Sequence, residues 1–379
     1  MAEYLAPGVY VEEIGRGPAP IEGVSTSTAA FLGPTERGPT AATAVSSFSE
    51  YLRLFGGAFT DAGYMFHAVQ GFFENGGREA VIVRIVAAAG GAPVAEDYAG
   101  GADGEASTGL AALDAPEQAH VALVYAPDAC AVADLVPRLI AHCELSRYRF
   151  AVLDAPAEVT APIRPADSSF AACYHPWIEV ADPRGGGATR RVPPGGHVLG
   201  VYARVDMERG VFKAPANERV SGAVGLAADV TSAGQEALKA AGVNVIRRFA
   251  GRGILIWGAR TLSADPEWTY VNVRRLFIYL ERSIERGTRW AVFEPNDERL
   301  WARVQDSVRL FLREQWRSGV FPGQKEEEAF FVRCDRSTMT QDDLDNGRLV
   351  CLVGLAPVRP AEFVIFRIGQ WTADRDPPG

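Results

Sequence analysis

Apolar positions along this chain follow two different textures. Up to about residue 265, short and nearly continuous apolar runs alternate with segments of helical spacing, and beyond it longer amphipathic stripes take over. Residues 28–33 (Thr-Ala-Ala-Phe-Leu-Gly) and 80–86 (Ala-Val-Ile-Val-Arg-Ile-Val) are apolar at successive positions, as a strand covered on both faces requires. Between them Met65, Phe66, Val69, Phe72 and Phe73 recur with helical spacing and stop at Asn75-Gly76-Gly77, so the first stretch predicts a β-α-β unit. Residues 87–109, rich in Ala and Gly, read as a loop or linker. The alternation then resumes. Strands are expected at 119–126, 149–155 and 169–180, helices at 131–144, 195–207 and 232–241, and two paired strands at 244–249 and 253–258. Repeated strand-helix alternation gives an α/β fold with a largely parallel sheet.

After Asp265-Pro266 the helices lengthen. Val273, Leu276, Phe277, Leu280 and Ile284 share one face of a helix over 273–286. A second helix, starting at Asn296 or Asp297, carries Leu300, Trp301, Val304, Val308, Phe311, Leu312 and Trp316, with Asp297 and Glu298 complementing its dipole and Gly319 and Phe321-Pro322-Gly323 ending it. Strands follow at 329–334, 348–355 and 362–371. Two β-prone segments have no evident partner. One is Pro-Gly-Val-Tyr-Val-Glu-Glu-Ile at 7–14, set apart by Gly15-Arg16-Gly17-Pro18. The other is the last strand, with Phe363 and Ile365 on one face and Val364, Phe366 and Ile368 on the other. A lone strand leaves its main-chain groups unpaired, so each must join a sheet edge, and for residues 7–14 the chain's own sheet serves as well as a neighbour's.

Composition and charge narrow the function. The 379 residues are 47% hydrophobic and 22% charged, a folded protein of roughly two or three domains. Lys plus Arg number 38 against 47 Asp plus Glu, a net charge of -9 that gives no electrostatic reason to bind nucleic acid. No apolar stretch approaches the roughly 18 residues of a membrane span, and the start lacks a secretory signal, so synthesis in the cytoplasm and no direct membrane insertion are expected. Cys130, Cys143, Cys173, Cys334 and Cys351 are odd in number and scattered, which argues for reduced thiols rather than a disulfide framework or zinc site.

Enzyme signals fail one by one. There is no G-x-x-x-x-G-K-[ST] loop and no G-x-S-x-G elbow, and Gly251-Arg252-Gly253 is followed by Ile254-Leu255-Ile256 where a dinucleotide site needs another glycine. His67, His120, His142, His175 and His197 are solitary; His142-Cys143 and Cys173-x-His175 fall short of the three or four ligands a metal needs. Asp154-Ala155-Pro156 suits a strand exit as well as an acid. No cofactor is expected, and no catalytic role. A local basic strip, Arg299, Arg303, Arg309, Arg313 and Arg317, is either a solvated helix face or a docking strip for an acidic partner.

Several motifs in order resemble one family. Tyr4-Leu5-Ala6-Pro7-Gly8-Val9-Tyr10-Val11-Glu12-Glu13, Phe31-Leu32-Gly33-Pro34-Thr35-Glu36-Arg37-Gly38-Pro39, Asn272-Val273-Arg274-Arg275, Phe293-Glu294-Pro295-Asn296-Asp297-Glu298 and Ala356-Pro357-Val358-Arg359-Pro360-Ala361-Glu362-Phe363 look like the contractile tail sheath family of myophage tails, R-type bacteriocins and extracellular contractile injection systems. The resemblance implies an N-terminal arm (1–21), an α/β core (22–265) whose middle portion, about 110–265, is subtilisin-like, an α+β C-terminal domain (266–356) and a C-terminal arm (357–379).

It further implies that the arms add strands to the small sheet of neighbouring subunits. The donors are Val9, Tyr10, Val11, Glu12, Glu13 and Ile14 in one arm and Phe363, Val364, Ile365, Phe366, Arg367, Ile368 and Trp371 in the other. The acceptor sheet comprises Phe330, Phe331, Val332, Leu349, Val350, Leu352 and Val353, with hinges at residues 15–18 and 356–360. The implied partners are other copies in stacked hexameric rings, an inner tube protein met by the arginine strip, and baseplate and tail-terminator proteins. The implied place is the cytoplasm at assembly, then a phage tail or injection particle released outside the cell. A cytosolic α/β hydrolase with a helical lid and a static tube or shell protein are the alternatives, and phage, bacteriocin and injection system are not told apart.

Overall fold

The computed structural model describes residues 20–58, 63–103, 106–159, 164–185 and 187–362. The apolar runs of the first two thirds assemble into one nine-stranded sheet. Its order is Glu218–Arg219, Gly253–Ile256, Val243–Phe249, Ala171–His175, Phe150–Asp154, Leu123–Tyr125, Ala29–Gly33, Ala80–Arg84 and Thr43–Val45. From Val243–Phe249 to Ala80–Arg84 every neighbouring pair is parallel, and antiparallel strands close both sides. Ala29 sits opposite both Ala80 and Leu123. Alternation then sends Phe31, Ile82, Tyr125, Val152 and Tyr174 to one core and Leu32, Val83, Val124, Leu153 and Cys173 to the other.

The first core lies under the helices Met65–Glu74 and Gly195–Arg209, which pack against each other through glycines. A Cβ on Gly196 would fall 2.4 Å from the Ala68 carbonyl oxygen, and one on Gly200 2.4 Å from that of Phe72. The second core lies under Leu135–Ser146 and Ser232–Ala240. The segment expected to be a linker contributes here instead: its short helix Ala95–Ala99 buries Ala95 and Tyr98 on this face, with Asp97 accepting hydrogen bonds from the Ala88 and Val94 main chain. One Tyr among Ala and Gly is too sparse to give a period, which is why the pattern missed it.

The single strand expected at 169–180 is two. Ala171–His175 belongs to the large sheet, and Ile178–Ala181 pairs with Thr189–Val192 and Gly225–Leu226 in a separate three-stranded sheet. Pro176, which follows a cis peptide bond and has no N–H to give a ladder, divides them.

A third core belongs to the C-terminal helices. Asp297 caps Glu298–Arg317 by accepting hydrogen bonds from the Arg299 and Leu300 amides, and that helix buries Leu300, Trp301, Val304, Val308, Phe311 and Leu312. Against it lies Val271–Gly287, which places Leu276 and Leu280 in the same core. Other sides of Val271–Gly287 are buried as well, through Val271, Arg274, Arg275 and Ile278. Arg275 donates to Asp206 (Nη1 to Oδ1 3.0 Å, Nη2 to Oδ2 2.5 Å) and to the Thr26 carbonyl oxygen (2.8 Å), while the Thr26 hydroxyl donates to Asp206 (2.7 Å). Arg274 stacks on Phe170 and Trp268. Helical spacing identified the greasy stripe; the polar face joins the C-terminal helices to the α/β unit.

Candidate assembly interface

Two short strands, Phe330–Arg333 and Leu352–Leu355, form an antiparallel pair with Phe330 opposite Leu355 and Arg333 opposite Leu352. Alternation directs Phe330 and Val332, with Val353 and Leu355 across from them, onto the third core. The other face carries Phe331 and Leu352, each 50% exposed, and Gly354, which lies so close beneath the Phe331 ring that a Cβ there would be 2.1 Å from it. Among the described residues no third strand joins this pair. A two-stranded ribbon with unpaired edges and an apolar outer face is marginal by itself.

Its position is fixed from below. Arg309 and Arg313 both donate to Glu326 (2.6 Å each), the first residue of the short turn leading into Phe330, and the Arg313 hydrogen bond holds the Glu326 carboxyl below its ordinary range. Gln305 accepts from the Cys334 amide (2.9 Å) at the other end of the strand. The lower edge of Glu298–Arg317 is therefore a mount for the ribbon.

Leu349 and Val350, expected within the acceptor sheet, lie outside its strands. The helix Gln341–Asp345 ends at Asn346-Gly347, the Arg348 amide donates to the Asp343 carbonyl oxygen (2.7 Å), and the Arg348 side chain pairs with Asp342 and Asp343. Those bonds and the Thr338 hydroxyl donating to the Val350 carbonyl oxygen (2.8 Å) hold the chain off the ladder until Leu352. Phe330, Phe331, Val332, Leu352 and Val353 are on the strands as expected.

The hinge at 356–360 is irregular and not free along its length. The Ala356 amide donates to the Ala329 carbonyl oxygen (2.9 Å), Asn272 donates to that of Val358 (3.2 Å), and Glu362 is gripped by Arg260 (3.0 and 2.7 Å) and Lys239 (2.9 Å). Burial opposes ionisation of Glu362, but those cations win and its pKa is lowered. The donor strands, Val9 to Ile14 and Phe363 to Trp371, and the hinge at 15–18 lie outside the described residues.

Of the arginine strip, Arg309 and Arg313 are committed to Glu326, and Arg303 pairs with Glu294 (3.5 Å) and lies over the Trp290 ring. Arg299 and Arg317 remain exposed on the same helix. A solvated face explains less of this strip than the pattern suggested, because much of it is internal bracing that sequence spacing has no means of signalling.

The groups an enzyme would recruit are arranged differently. The Cys130 thiol donates to the Asp154 main-chain oxygen (2.7 Å), and burial pushes its pKa up to about 12, the opposite of an activated thiolate. Asp154 accepts from the Tyr125 hydroxyl (2.6 Å) and the Gly195 amide (2.8 Å) at the start of a helix, with burial raising its pKa to about 7. His67 and His197 are buried, and burial lowers them to about 4 and about 3. A cleft of about 490 Å³ beyond Leu153 and Asp154 is lined mainly by small apolar side chains. Among the described residues no group of His, Cys, Asp and Glu is placed to hold a metal ion, and no helix is long and apolar enough to cross a membrane.

Comparison with known proteins decides the family. Residues 94–262 match the phage tail sheath protein central domain and residues 263–370 the phage tail sheath C-terminal domain. The sheath of an extracellular contractile injection system, the PVC sheath complex in its contracted state, is 32% identical with a TM-score of 0.79, covering 99% of this chain and 100% of that one. The chain belongs to the contractile tail sheath family. The helical sheath of the anti-feeding prophage, also contracted, is 31% identical (TM-score 0.79; 97% of this chain, 100% of that one). Among curated proteins, the tail sheath protein of Vibrio phage KVP40 is 27% identical over 192 residues, 49% of this chain and 28% of that protein. A putative prophage major tail sheath protein of Pseudomonas aeruginosa is 26% identical over 194 residues, 49% of each. The chain spans less than half the length of these two curated relatives, whereas the two solved sheaths are covered over their full length.

Proposed function

We propose that this chain is the sheath subunit of a contractile tail or injection system, polymerising helically around an inner tube and shortening to drive that tube through a target envelope. The observation that carries the proposal is the two-stranded ribbon at Phe330–Arg333 and Leu352–Leu355, rigidly mounted yet uncovered on its apolar outer face, in a member of this family. Strands from the arms of neighbouring copies, residues 9–14 and 363–371, complete it. Main-chain hydrogen bonds hold such added strands largely without regard to side-chain fit, so the contact survives a rigid-body rotation of the subunits. A head-to-tail contact of this kind does not close on itself and generates a helix.

The same proposal divides the chain into an N-terminal arm (1–21), a core with a subtilisin-like middle, a C-terminal α+β domain and a C-terminal arm (357–379). Its partners are further copies in stacked rings, the inner tube, the baseplate and a terminator. Assembly takes place in the cytoplasm and the finished particle acts outside it. Arg299 and Arg317 are the arginines best placed to meet an acidic tube. Deleting residues 1–20 is expected to leave a folded protein that forms no ordered tubes under negative-stain microscopy; ordered tubes from that truncation would overturn the strand-exchange proposal. Charge reversal of Arg299 and Arg317 is expected to weaken assembly on the tube, and undiminished assembly would remove them from that contact.

A further inference from the structure

Cys334 and Cys351 stand one position beyond the last paired residues of the ribbon, Arg333 and Leu352. The ladder's phase follows from the Ala356 amide bonding the Ala329 carbonyl oxygen. Directly opposed residues that exchange hydrogen bonds recur every second position, at 329 with 356, 331 with 354 and 333 with 352. Carried one step past the last paired residues, the same register sets Cys334 against Cys351 at the intervening kind of site, where the Cα atoms of a regular ladder approach to about 4.5 Å and side chains are nearest. That spacing lies within the roughly 4.4–6.8 Å a disulfide accepts. Both side chains point to the same face as Phe330, Val332, Val353 and Leu355, toward the third core. Both residues are free thiols, and each perturbs the other's ionisation.

We infer that Cys334 and Cys351 are a dithiol site that reacts with low-molecular-weight disulfides and closes to an intramolecular disulfide across the ribbon. Their exposures differ in the way such a reaction needs: Cys334 is 3% exposed, while Cys351 is only partly covered. Cys351, as thiolate, attacks the external disulfide, forming a mixed disulfide and expelling one external thiolate. Cys334 then gives up its proton and attacks the Cys351 sulfur, expelling the second. Two protein thiols are oxidised and one external disulfide is reduced to two thiols. The neighbouring Cys334 lowers the Cys351 pKa while its own is raised, which matches this order of events.

The other thiols stay out of it. Cys143 and Cys173 are fully buried, and Cys130, although the residue is exposed, has its thiol turned onto the Asp154 main-chain oxygen (2.7 Å). Oxidation staples the ribbon at the end away from Ala329 and Ala356. That this ribbon receives neighbours' strands rests on the proposed function; the thiol chemistry stands without it.

Incubating the reduced full chain with oxidised glutathione and measuring intact mass and peptide maps tests the inference. The expected product has lost two hydrogens, carries a Cys334–Cys351 link, retains three free thiols and reverts on addition of dithiothreitol. C334S is expected to stop at a stable glutathione adduct on Cys351, and C351S to give neither adduct nor link. A wild-type chain that keeps all five thiols, retains a glutathione adduct without closing, or forms its link elsewhere would overturn the inference. None of these results depends on whether tubes assemble.

Discussion

Replacing Arg275 by methionine removes the central tie between the helix Val271–Gly287 and the α/β unit. Arg275 and Asp206 are only 4% and 3% exposed, and their bidentate contact is shared with Thr26, so one ion pair joins three separate segments of chain. R275M strands the Asp206 carboxylate in a dry site with only the Thr26 hydroxyl to solvate it, and leaves the Thr26 carbonyl oxygen without its donor. Breaking one side of a buried pair costs about 3–5 kcal/mol, whereas exchanging both members for apolar groups is often near neutral. The expected pattern in urea titrations is a loss of about 3–5 kcal/mol for R275M and recovery of more than half of it in R275M/D206L, the Thr26 groups accounting for the remainder. The Tyr202 ring beneath the guanidinium gives the methionine an apolar surface to lie on, so the single variant tests charge more than packing. A loss below about 1 kcal/mol for R275M, or a double variant no better than the single one, would refute the reasoning that an unpaired buried charge sets the cost.

Three further outcomes follow from the same geometry. Asp154, raised to about 7 by burial against an ordinary 3.8, keeps its proton in the native state where the unfolded chain has lost it, so it contributes stability below about pH 4 that fades as pH rises to 7. The buried His67 and His197 act in the opposite direction, losing stability as pH falls below 6.5. D154N should therefore gain on wild type by up to about 4 kcal/mol between pH 4 and 7 in parallel denaturation series, and a constant difference would reject the assignment. Gly200→Ala drives a methyl into the Phe72 carbonyl oxygen and should cost about 1–3 kcal/mol, read as a lowered melting temperature; an unchanged one would show that the helices can part. Lysine at both Phe331 and Leu352, which are half exposed in the single chain, should leave the monomer's melting temperature nearly unchanged and abolish tube formation, whereas tubes of normal yield would mean that this face stays uncovered in the assembly.

The parallel sheet was legible in the chain because a strand covered on both faces leaves a distinctive apolar run, as in residues 28–33 and 80–86, and because Asn75-Gly76-Gly77 punctuates the helix between them. Residues 169–180 read as one strand because apolar character continues through Pro176, although the missing N–H sends the two halves to different sheets. The ribbon's two strands were located, but Leu349 and Val350 were included because their apolarity says nothing of the hydrogen bonds that Asp343 and Thr338 make nearby. Arg309 and Arg313 looked like a surface strip because their partner, Glu326, lies 17 and 13 residues away, beyond any helical spacing. The Cys334 and Cys351 pair is invisible in sequence for a related reason, since only the register of the ribbon brings them face to face.

The most direct test of strand exchange is a density map of the assembled particle, resolved well enough to trace the main chain around Phe330–Arg333 and Leu352–Leu355. Additional strands on this ribbon, traceable to residues 9–14 and 363–371 of other copies, are the expected result. A map in which both ends of every copy fold back onto that same copy, with the ribbon still two-stranded, would contradict it.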